Sequence, residues 1–98
     1  AKLLGTLRYA VEGQVGPLVT ETVEQIRALG QHLPERYGVE GLLRAASLPG
    51  EGGSRLSQLY VRRCYLLCDE DYRGLEPVEQ QLKELQAQLG LADAPGGV

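Results

Sequence analysis

The segment from Leu56 to Cys68 limits the fold more than any other stretch of the chain. Its apolar residues are Leu56, Leu59, Tyr60, Val61, Cys64, Tyr65, Leu66, Leu67 and Cys68. Placed at about 100° per residue, they cover most of a helix circumference. Only the sector of Arg55, Gln58 and Arg62 stays continuously polar. A helix that is apolar nearly all round has to be covered on most sides. It belongs at the centre of a bundle, or under a partner that covers its free face. Arg63 falls inside the apolar arc, so its charge must be paired or must snorkel out along its stem.

The rest of the chain has the same period. Apolar spacing is helical nearly throughout, and the alternation of a strand is not sustained anywhere. Leu3, Leu4, Leu7, Ala10 and Val11 share one face of a first helix over about 2–12. A second starts at Pro17, which suits the first helical position, and lines up Leu18, Val19, Val23, Ile26, Leu29 and Leu33. A third, over about 35–47, carries Gly38 and Gly41 and is weak by propensity. Leu48-Pro49-Gly50-Glu51-Gly52-Gly53 reads as a loop, and Ser54 as the N-cap of the fourth helix. Asp69-Glu70-Asp71-Tyr72-Arg73-Gly74 reads as an acidic turn. Leu75, Val78, Leu82, Leu85 and Leu89 then form a heptad seam, with Pro77 in the first turn and Gly90 after the end.

Ninety-eight residues, 43% apolar and 23% charged, suit one globular domain and argue against intrinsic disorder. Leu occurs 18 times, whereas Phe, Met, Trp and Asn are absent. The expected fold is all-α: a compact four- or five-helix bundle over 1–91, with its central helix near residues 55–68. Residues 92–98, with Pro95-Gly96-Gly97, read as a disordered tail.

A net charge of −3 argues against nucleic acid and against an anionic membrane surface. The charge is uneven. Arg55, Arg62 and Arg63 make residues 55–63 locally basic, while residues 69–93 carry seven acids against Arg73 and Lys83. No apolar run is long enough to span a membrane, and no secretory leader is evident. Cys64 and Cys68, four apart on one helix, suit a disulfide poorly. A reducing, intracellular setting, cytoplasmic or nuclear, is the expectation.

Candidate chemistry is thin. Cys64, Cys68 and the single His32 lack the spacing of a zinc set, and both cysteines read as small core residues. A Cys–His nucleophile would need His32 beside them, but His32 lies at the polar edge of the second helix. Asp69, Glu70 and Asp71 read as a solvated turn that asks for a basic neighbour, Arg63 or Arg73. The 48–53 glycines lack the Lys-Ser/Thr ending of a phosphate loop. Tyr72 sits in an acidic context of the kind tyrosine kinases favour. The expectation is a non-enzymatic domain with no cofactor and no metal.

What remains is recognition of another protein. Tyr and Arg are enriched at interface hot spots, which singles out Tyr60, Arg62, Arg63 and Tyr65. Arg62 and Arg63 would flank a groove lined by Tyr and Leu of the fourth helix. The partner expected there is an amphipathic or acidic helical peptide, in a scaffold or adaptor role. The alternative is a homodimer or coiled coil through the 75–89 seam.

Overall fold

The computed structural model describes residues 2–91; the tail expected over 92–98 lies outside them. Five α-helices follow one another: α1 (Lys2–Glu12), α2 (Gly16–Gly30), α3 (Val39–Ala46), α4 (Gly50–Cys68) and α5 (Tyr72–Gln88). A single 3-10 turn, Glu35–Tyr37, separates α2 from α3. No strand occurs among the described residues. The molecule is an all-α helical bundle.

The shortest helix organises the packing. α3 has eight residues, and Leu42, Leu43, Ala45 and Ala46 are all buried. It forms a wall shared by two apolar clusters. On one side Leu43 and Ala46 join Leu7 and Val11 of α1, with Val19, Val23 and Ile26 of α2 packed against them. On the other, Ala45 joins Leu56 of α4 and Val78, Leu82 and Leu85 of α5. Full burial of one such leucine is worth roughly 1.5–3 kcal/mol, so these few residues carry most of the apolar driving force. α4 lies between α3 and α5 and also touches the 3-10 turn.

Four boundaries differ from the sequence reading. Residues 50–53 are not loop: α4 starts at Gly50, with Pro49 extended before it (φ −75°, ψ 163°), and Ser54 lies inside the helix rather than capping it. Gly50 takes the left-handed conformation (φ +87°), and Gly52 and Gly53 are there for close approach. A Cβ on Gly53 would lie 2.0 Å from the Leu48 carbonyl oxygen, an impossible contact. The first turn is held by α1 in place of a side-chain cap. Arg8 donates to the carbonyls of Ala46 (3.0 Å), Leu48 and Gly50 (3.0 Å). The Glu12 carboxylate accepts the Gly50 N–H at 2.7 Å, which is the role a cap would fill.

α2 stops at Gly30, which leaves Leu33 beyond the helix and exposed. The third segment is broken: the 3-10 turn ends at Gly38 (φ +71°), and the α-helix begins only at Val39. α5 starts at Tyr72, inside the expected acidic turn. Asp71 caps it by accepting the Gly74 N–H at 2.9 Å, and Pro77 lies past the first turn.

Candidate functional site: a cleft beside the fourth helix

Gly41 of α3 lets the Tyr60 ring of α4 lie against the helix backbone. A Cβ at position 41 would stand 3.0 Å from three atoms of the phenol group. The Tyr60 hydroxyl accepts a hydrogen bond from Gln86 Nε2 of α5 at 3.2 Å. Above this contact a cleft of about 640 Å³ opens to solvent between α2, α3, α4 and α5. Leu43, Ala45, Leu48, Leu56 and Tyr60 supply apolar wall, while Arg27, Glu40, Arg44 and Ser47 stand among its polar residues.

Arg27 of α2 grips Glu40 of α3 with two hydrogen bonds, Nε to Oε2 at 2.8 Å and Nη2 to Oε1 at 3.0 Å. This fork geometry fixes both planes. Those hydrogen bonds, with the guanidinium charge behind them, hold the Glu40 carboxyl below its ordinary value and raise the Arg27 guanidinium further. A carboxylate held as an anion by its own arginine is a poor proton acceptor. Arg44 is exposed on the same helix and is in no ion pair among the described residues.

The four residues singled out from the sequence do not form one surface. Tyr60 and Arg63, three apart, face inward together. Arg62 and Tyr65, also three apart, face outward. Tyr60 is half-buried in the cleft wall. Arg63 is half-buried too and fully engaged: Nε meets Glu79 of α5 at 2.8 Å, and Nη1 donates to the Arg36 carbonyl at 2.7 Å. The charge inside the apolar arc is therefore paired, as its position demanded. Its partner is Glu79, not the acids of the 69–71 turn. Arg62 is exposed, and Tyr65 keeps 63% of its surface open.

The cysteines diverge. Cys64 is half-buried, and its thiol lies 3.3 Å from the Tyr37 carbonyl, a donor's distance. Burial raises its pKa, which keeps it protonated and a weak nucleophile at neutral pH. Cys68 is exposed, which corrects the expectation that both are core residues. His32 is exposed beyond the end of α2. The described residues contain no group of three His, Cys, Asp or Glu placed to share a metal ion. No described helix is long and apolar enough to cross a membrane.

Compared with known proteins, the chain matches no family model, no curated protein and no solved structure.

Sequence reasoning missed Arg27, Glu40, Arg44 and Gln86. Each stands on the polar face of its own helix, and only the meeting of α2, α3 and α5 around Tyr60 gives them a common purpose. The split of Tyr60 and Arg63 from Arg62 and Tyr65 did have a signal: the three-residue spacing within each pair.

Proposed function

We propose that this domain is a non-enzymatic protein-interaction module, a scaffold or adaptor whose cleft takes the apolar side of a partner helix or peptide. The observation that carries this reading is the open cleft with its apolar wall around Tyr60 and Leu56. Its size falls within the range of about 300–1,000 Å³ typical of binding pockets. Its titratable groups favour recognition over chemistry. Glu40 is locked to Arg27, the Tyr60 hydroxyl is engaged by Gln86, and Arg44 is left exposed for a partner's carboxylate. An amphipathic peptide with an acid at its edge suits that arrangement. The two free thiols suit a reducing compartment, cytoplasmic or nuclear.

A dimer through the 75–89 seam has less support. Val78, Leu82 and Leu85 are buried against the chain's own α3 and α4, and only Leu89 of the seam is exposed.

The test uses residues whose replacement leaves the core alone. Arg44→Glu and Ser47→Trp, both at exposed positions of the cleft, are compared with the wild type in co-purification from cell extract, with melting curves alongside. The reading expects a polypeptide retained by the wild type and lost by both variants at an unchanged melting temperature. The same polypeptides retained by all three proteins would refute it.

A further inference from the structure

Beyond the Gly50 end, where Arg8 and Glu12 bond to it, α1 and α4 make little direct contact. A groove of about 270 Å³ lies between them, lined by Leu4, Gly5 and Arg8 of α1 and by Ser54, Ser57, Gln58 and Val61 of α4. Gly5 marks the open part: a Cβ built there meets nothing within 4 Å. Along the groove's edge, next to Gln58, α4 presents Arg55, Arg62 and Tyr65, all exposed. Arg55 and Arg62 are one heptad apart, about 10.5 Å along the axis. Neither arginine is in an ion pair or side-chain hydrogen bond among the described residues, although Glu51 precedes Arg55 by one turn.

We infer that the α1–α4 groove and its arginine stripe form a second docking surface, separate from the cleft, that takes an acidic amphipathic helix of another protein. Charge selects the occupant. Two unpaired arginines at heptad spacing match two carboxylates at heptad spacing on a partner, and the partner's apolar residues between them drop toward Gly5 and Val61. A second copy of this chain fits badly, because a two-fold pairing centred on the stripe sets Arg55 against Arg62. A phosphate surface fits badly as well, because its continuous sheet of anions would also meet Glu51 and Asp69 at the two ends of the stripe, whereas two carboxylates one heptad apart meet only the arginines between them.

The probe is a fluorescent synthetic helix with a leucine stripe and two glutamates one heptad apart, titrated by anisotropy against the full chain. Saturable binding is expected. The double variant Arg55→Glu with Arg62→Glu should lose at least about tenfold in affinity, and regain binding when lysines replace the peptide's two glutamates. Gly5→Leu should fill the groove and abolish binding with no loss of melting temperature, since leucine is the better helix former. Arg44→Glu should leave this binding unchanged, which separates the surface from the cleft. No saturable binding, equal binding by the charge-reversed protein, binding undiminished in Gly5→Leu, or binding to phosphatidylserine vesicles in preference to the peptide would each overturn the proposal.

Discussion

α2 and α5 are both amphipathic helices of similar length, yet the bundle treats them differently. α2 carries the broader apolar stripe, but its one buried residue is Thr22, whose hydroxyl donates to the Leu18 carbonyl at 2.7 Å. Val19, Val23 and Ile26 are half-buried, and Leu29 keeps 70% of its surface exposed. α5 carries only a narrow seam, and three of its members are buried. The difference lies in what each helix meets. α5 lies along the 19-residue α4, whereas α2 leans on the short α1 and on the eight residues of α3. A stripe shows which way a helix faces; the length of its neighbour decides how much of that stripe is covered.

The sharpest check on this contrast is a pair of truncations. Leu82→Ala should cost about 2–5 kcal/mol, the range for a buried leucine. Ile26→Ala should cost clearly less, near the low end of that range or below it, because its side chain is already half in water. Urea unfolding measures both, and equal losses would break the comparison.

Arg8→Ala comes next. It removes the donor shared by three carbonyls at the α3–α4 junction, and leaves Glu12 as the only α1 side chain bonded there. A loss of about 1–3 kcal/mol is expected, read as a lower midpoint with an unchanged slope. A negligible loss would mean that α4 keeps its glycine-rich start without help from α1.

The smallest effect concerns the Arg27–Glu40 bridge between α2 and α3. Glu40 has a depressed pKa in the folded protein, so its contribution is present above the ordinary carboxylate value and fades as acid titrates it through the lower one. The bridge is solvent-exposed and its effect modest. Between about pH 5 and pH 3, the wild type should lose slightly more melting temperature than Glu40→Gln. Identical slopes would show that the bridge adds nothing to the hold of α3 on α2.

The residues themselves explain how much was legible in advance. Helical spacing is a local property, so five helices and the faces of α1 and α5 follow from it directly. The start of α4 does not. Gly50, Gly52 and Gly53 read as a loop on propensity alone, because what holds this turn is the close approach of Leu48 to Gly53 and the bonds from Arg8 and Glu12, about forty residues away in sequence. Tyr60 and Arg63 were found as notable residues, since an aromatic and a charge on an apolar arc stand out. Their actual neighbours, Gly41 of α3 and Glu79 and Gln86 of α5, carry no such mark, because a glycine or a polar residue on one helix looks like any other until the helices converge. The outward position of Tyr65 was legible by contrast, since it stands three residues from Arg62, beside the one polar sector of α4.

α3 ties the two apolar clusters to one fate. Leu43 and Ala46 serve one side and Ala45 the other, so neither half can come apart without stripping a helix too short to persist alone. Amide hydrogens of Leu43 through Ala46 should therefore exchange only through global opening, and denaturation should show a single sigmoid with no plateau between halves. Eight residues thus set the cooperativity of the whole chain.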